Sequence, residues 1–432
     1  MALLVLAIAV AILLLLIGLK ADAFIALLIT AFITGILNRM GPEAALKSLL
    51  KGFGDTVGSL GLIILFGAML GRLIEESGAA HTIAGAITRI LGRDRVQLAV
   101  LITAFLVGLA MFFQPAFFIL IPLIYTLSST TGTPLIQLAI PLCAALGATH
   151  GLLPPHPGIT AAAVTLHADV SRTLLYGLIV AIPAMIVAGP FLAKFCAGVR
   201  ARPPARFFRE RTFAVGELPR LGVSLTAVLF PVLIMLAGAA VTLTVTGETP
   251  LTSGVRFVSE PNVVLFLAAL LSVYTLGFRR GRNLDSLMKD TAEAISSAAP
   301  ALFVIAGGGA FKQVLLDGGT GEAVRQMATQ VHVSPILLAW GTASLLRAAV
   351  GSATVSAITA AGIVLPIVPV SGVRPELLVL AIGAGSITFS HFSDSGFWIF
   401  KEYCGLDVRQ TLATWTVMEI VIGVAGLVLA ST

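Results

Sequence analysis

Charge is what this chain has least of. Only 11% of its 432 residues are Asp, Glu, Lys or Arg, where a soluble domain carries about 25%. That scarcity excludes an ordinary soluble enzyme built round one apolar core. Cysteine is nearly absent too. Cys143, Cys196 and Cys404 have no paired spacing, so neither a disulfide nor a thiolate metal site is expected. No HExxH run and no carboxylate at zinc-ligand spacing occurs, and no nucleotide-binding motif; no metal, no cofactor and no direct ATP drive are expected. Met1–Leu19 has no basic n-region and no clear small-x-small cleavage site before Lys20, and reads as a retained first helix rather than a signal peptide. The net charge of +6 does not imply nucleic acid, because in a membrane protein a basic balance reports cytoplasmic loops.

Apolar residues make up 57% of the chain, and runs long enough to span roughly 30 Å of hydrocarbon recur from end to end. The expected spans are 2–19, 22–38, 56–76, 134–168 (broken), 173–194, 221–246, 261–278, 294–316, 375–399 (broken) and 411–430. Two further stretches, 97–131 and 335–370, are too long for one span. Each is interrupted, at Phe113-Gln114-Pro115 and at Gly351-Ser352-Ala353-Thr354. Each could be two full helices; parity favours re-entrant half-helices. Ten crossings then leave both termini outside, with 17 Lys and Arg in inside loops, 7 in outside loops, and Arg72, Lys312 and Arg347 within the membrane. The strongest single signal is Lys194–Arg220, with seven basic residues, expected to be cytoplasmic.

The two sides of that linker resemble copies. An offset of 240 lays Gly67–Ala79 on Gly307–Gly319, with Arg72 on Lys312; nearby offsets pair Pro122 with Pro366 and His150 with His391. Five crossings in each copy make the orientations opposite. The expected fold is therefore an all-α polytopic membrane protein of two inverted repeats, 1–193 and 221–432, joined by the basic linker 194–220. Each repeat holds one re-entrant helical hairpin and one broken transmembrane helix.

Two polar stretches carry the functional signal: HGLLPPHPG at His150–Gly158 and SHFSDSGFW at Ser390–Trp398. Backbone that leaves a helix within a bilayer must line a cavity or be buried in protein. Paired breaks in corresponding halves mark the binding site of a secondary transporter. Pro154, Pro155 and Pro157 force extended backbone whose carbonyls could hold a cation or sugar hydroxyls. His150 and His156 suit a proton path, or merely satisfy freed carbonyls. Arg347 could clamp a substrate carboxylate, or pair with an acid of the protein. Gly351, Ser352 and Thr354 offer hydroxyls and the start of a half-helix that favours an anion. Asp394 and His391 could carry a proton, Ser393 and Ser395 beside them could bind substrate, and Asp394 could equally cap the following helix. Glu419 is expected to pair inside the scaffold, and Trp340, Trp398 and Trp415 to pack or anchor at the interface.

The order of motifs resembles the gluconate permease family, within the ion transporter superfamily. The matching pieces are FGAMLGRLIEESGAAHTIA (66–84), FFQPAFFILIPLIY (112–125), HGLLPPHPG, GSATVSAITAAGI (351–363) and SHFSDSGFWIFKEYCGLDVRQTLATWTVME (390–419). The resemblance implies proton-coupled import of gluconate or a related sugar acid, a scaffold with a mobile transport domain, elevator-type motion, a bacterial inner-membrane location and a possible homodimer. It also implies substrate contact at Gln114, although the family pattern carries an acid there; Val350 and Ser393 likewise replace Gln and Asn. Runner-up readings are a membrane-embedded hydrolase and a passive anion channel, and another small hydroxy acid is the alternative substrate. Against the hydrolase, no nucleophile motif occurs.

Overall fold

The computed structural model describes residues 2–203, 216–245, 249–320, 326 and 334–432. It is helical throughout, with no strand among the described residues. Much of the basic linker, including Arg206, Arg209 and Arg211, lies outside the described residues.

Two long helices, Pro42–Ser77 and Leu284–Asp317, lie against each other. Glycines set the contact. A Cβ on Gly52 would fall 2.5 Å from the Gln313 Cβ, and one on Gly309 would overlap Thr56. Small residues let the two backbones approach in this way. Both helices begin well before the expected spans at 56 and 294. The sequence reading stopped at the charges, but Glu43, Lys47, Lys51 and Asp55 recur every four residues, on one exposed face. At 36 residues the first helix is about 54 Å long. The expected loop after it holds a further helix, Ala79–Leu91, entered through left-handed Gly78.

Each interrupted stretch is a pair of helices. The first hairpin runs Val96–Ala110 and Phe113–Thr131. Its break falls at Met111-Phe112, ahead of the expected position, because Pro115 sits in the first turn of the second arm, where its missing N–H costs nothing. The second hairpin runs Pro335–Val350 and Ala353–Val364, with left-handed Gly351 at the turn and Ser352 as N-cap, its side chain accepting from Val355 N. The two broken helices are Leu135–Leu152 with Pro157–Thr165, and Pro375–Ile387 with Ser395–Cys404. In the first, Pro154 and Pro155 remove the donors that would continue the helix.

Among the described residues nine helices are long and apolar enough to cross a membrane. They are not the ten expected spans. The hairpin arm Phe113–Thr131 and the stretch Ala353–Val370 reach the length, while Leu4–Gly18 and Ala23–Leu37 are shorter. The last helical stretch, Val408–Ser431, carries a π-turn at Leu412–Thr416, a distortion often found at functional sites.

Candidate functional site

A single cavity of about 510 Å³ collects the breaks, within the range of small-molecule sites. Phe112, Pro157, Ser352 and Ser395 all line it. These residues stand at the starts of four helices: the second arms of both hairpins and the second halves of both broken helices. Each start leaves backbone N–H groups without helical partners and carries partial positive charge. The two halves touch here, since a Cβ on Gly158 would lie 3.2 Å from Thr354 Cα. The wall therefore favours an anion through backbone alone.

One buried ion pair sits in that wall. Arg347 Nη2 meets Asp394 Oδ2 at 2.5 Å, and Arg347 is only 4% exposed. Ser390 Oγ donates to the same oxygen at 2.5 Å, and Gly396 N donates to Asp394 Oδ1 at 2.9 Å. Asp394 is thus the cap of Ser395–Cys404, one of the two roles expected for it, and also the acid with which Arg347 pairs. Arg347 Nη1 donates to the Gly351 carbonyl at 2.6 Å, which ties the guanidinium to the hairpin tip. Arg347 Nε is buried without a partner. A guanidinium whose remaining edge is unsatisfied can still receive a carboxylate.

Gln114 Nε2 donates to Ser395 Oγ at 3.1 Å, joining the first hairpin tip to the second break. Gln114, His150, Arg347, Gly351, Ser352, Thr354, Asp394 and Ser395 all line the cavity. Pro155, His156, His391 and Ser393 do not. His156 Nε2 is 2.8 Å from the Gly108 carbonyl of the first hairpin, and its ring centroid is 5.5 Å from that of His150. Pro155 and His156 border a much smaller apolar recess. His391 Nδ1 lies 3.2 Å from Ser393 Oγ.

Sequence reasoning missed three parts of the wall. Ser297, Pro300 and Ala301 reach it from the long helix Leu284–Asp317; Pro300, inside that helix, was the available signal. Trp415, expected to pack or to anchor at the interface, is packed and also lines the cavity: it is 3% exposed and its Nε1 donates to Ser390 Oγ at 2.7 Å. Glu419, one helical turn further on, lines the cavity rather than pairing within a scaffold. Both lie in a run whose few polar residues are scattered round the helix, so no one side is marked as inward.

A buried guanidinium, four helix starts and one cavity among membrane-length helices define a membrane transporter for a small anion. The chain belongs to the GntP family of permeases, whose family model matches residues 1–431. It is 45% identical over 428 residues to the Gnt-II system L-idonate transporter of Escherichia coli, covering 99% of this chain and 98% of that protein. It is 41% identical to a high-affinity gluconate transporter of E. coli, covering 96% and 95%, and 41% identical to a gluconate permease of Bacillus licheniformis, covering 97% and 96%. Among solved structures, it resembles the Alcanivorax borkumensis YdaH transporter with a TM-score of 0.62 at 16% identity, covering 89% of this chain and 88% of that one. The Neisseria gonorrhoeae MtrF efflux pump matches with a TM-score of 0.63 at 16% identity, covering 89% and 83%. The protein is a multi-pass transporter of the bacterial inner membrane, not an enzyme.

Proposed function

We propose that the protein imports gluconate, idonate or a closely related sugar acid together with protons, by alternating access. The observation that carries this is the cavity itself. A carboxylate entering it meets Arg347, whose Nε has no partner in the protein, and the N-terminal amides at Ser352 and Thr354. The hydroxyls of a sugar acid meet Gln114, Ser395 and His150, all able to hydrogen-bond. Relatives at 41–45% identity named for gluconate and L-idonate support the substrate class.

The same order recurs on both sides of the linker: long helix, hairpin, broken helix, closing helix. That order supports inverted repeats over 1–193 and 221–432, with 194–220 as a cytoplasmic linker, re-entrant hairpins and both termini outside. Elevator motion of the hairpins and broken helices against a dimeric scaffold is the form of alternating access proposed. Uptake into proteoliposomes tests the reading. Concentrative gluconate uptake driven by an imposed pH gradient is expected. Equilibration without accumulation would instead make the protein a channel.

Gln114 gives a prediction particular to this chain. An amide at the first tip adds no charge at any working pH. Gln114→Glu removes the N–H that donates to Ser395 Oγ, leaves an oxygen to which that hydroxyl can donate in turn, and places a carboxylate opposite the substrate carboxylate. Uptake assayed from acid to alkaline pH is expected to weaken selectively at the alkaline end, where the new group is ionised. A profile superimposable on wild type, in a protein of normal thermal stability, would remove Gln114 from the substrate's surroundings.

A further inference from the structure

We propose that Glu419 is the residue that carries the co-transported proton. This rests on the proton-coupled reading above and names the group that performs it. Four ionisable side chains line the cavity: His150, Arg347, Asp394 and Glu419. Asp394 is poorly placed to exchange a proton. Its two oxygens already accept from Arg347, Ser390 and the Gly396 amide, and protonating it would leave Arg347 buried and unpaired. Glu419 is the opposite case. It is 3% exposed, its Oε2 is buried with no partner, and no cation stands within ion-pair distance among the described residues.

Its position is built. Glu419 lies on the last helix one turn after Trp415, whose indole holds Ser390 beside Asp394. Its Oε1 rests where Gly147 has no side chain; a Cβ there would come within 2.9 Å. The carboxyl group therefore bridges the last helix and the first broken helix. The groups facing it across these elements are Arg347 and Asp394, with His150 and Cys143 on the broken helix. None is a free counter-charge. A lone carboxyl inside a membrane protein marks an ion or proton path, and burying it ionised is costly unless the charge is neutralised.

Charge accounting gives the coupling. With His150 uncharged, Arg347, Asp394 and an ionised Glu419 sum to +1 − 1 − 1 = −1. Adding a monoanionic substrate alone makes −2, in a cavity of low dielectric. Adding the substrate with a proton on Glu419 restores −1. The empty and the fully loaded site then carry the same charge, and only the half-loaded forms differ. Proton and substrate are thereby bound to move together: outside, a hydronium gives its proton to Glu419 and becomes water as the carboxyl O–H forms; inside, that O–H breaks and water takes the proton as hydronium.

Glu419→Gln keeps the shape and removes the proton. In proteoliposomes the variant is expected to lose gradient-driven gluconate accumulation entirely, together with the internal acidification reported by trapped pyranine. It should retain counterflow of gluconate against gluconate. Wild type that fails to accumulate overturns the coupled reading, and this inference with it. Wild type that accumulates beside a Glu419→Gln protein that also accumulates and acidifies overturns the inference alone. Should the variant not fold, gluconate binding to detergent-purified wild type and to Glu419→Asp, measured by calorimetry in two buffers of different ionisation heat, decides. Proton uptake on binding in wild type, with a displaced pH dependence in the Asp variant, supports Glu419. Absence of uptake, or an unmoved pH dependence, overturns it.

Discussion

Arg347→Ala is expected to lose about 100-fold or more in kcat/KM for a sugar acid, equivalent to about 3 kcal/mol, and also to lower thermal stability. Two separate losses combine. The substrate carboxylate loses its charge-assisted partner. Asp394, 8% exposed, is left without its counter-charge in a buried wall, and removing one member of a buried pair typically costs roughly 3–5 kcal/mol. The double variant Arg347→Ala/Asp394→Asn separates them. It leaves no unpaired charge, so the melting temperature should recover most of the way. Carboxylate transport should not recover, because the anion's partner is still missing. Arg347→Lys should fall between, keeping the charge but not the guanidinium's simultaneous contacts with the Gly351 carbonyl and Asp394. Recovery of both stability and transport in the double variant would mean that Arg347 serves only to neutralise Asp394, and the substrate-clamp assignment would be withdrawn.

Where the sequence was explicit, local chemistry made it so. Pro154, Pro155 and Pro157 cannot continue a helix, and the break at 153–156 follows from covalent geometry. Asp394 ahead of Gly396-Phe397 is a helix cap by residue type, and it caps. Composition alone fixed a membrane protein, because a chain this poor in charge cannot solvate its surface. What stayed hidden is orientation within apolar runs. In Val408–Ser431 the polar residues Arg409, Gln410, Thr411, Thr414, Thr416 and Glu419 are scattered round the helix rather than gathered on one face, so nothing marked Trp415 and Glu419 as inward. Arg347 could be assigned to a partner only once residue 394, 47 positions later, was brought to 2.5 Å. The long helices were cut short for a related reason: charged residues every four positions read as a loop until their common face is visible. Pro115 displaced the expected break by two residues, since the same residue that breaks a helix interior is tolerated in its first turn.

Gly351→Ala is expected to abolish most transport while leaving the protein in the membrane. Gly351 has φ +77, a left-handed conformation that costs about 1–2 kcal/mol for a residue with a Cβ. Space is the larger problem. A Cβ there would lie 2.6 Å from the Ser393 carbonyl carbon and 2.8 Å from the Ser393 Cβ, overlapping backbone rather than a movable side-chain end. The hairpin tip must therefore retreat from the second break. Arg347 is anchored to the Gly351 carbonyl and paired to Asp394 on the other side of the same contact, so the retreat pulls the ion pair apart. Gly372 supplies the control. It is also left-handed, at φ +64, but an added Cβ there meets nothing within 4 Å. Gly372→Ala should show only the conformational cost, a drop of a few degrees in melting temperature with uptake near wild type. Gly351→Ala should melt lower still and transport at least about tenfold slower, the rate equivalent of roughly 1.4 kcal/mol in the working geometry. Equal behaviour of the two variants would mean that the hairpin tip and the Ser390–Asp394 segment are not in contact when the transporter turns over.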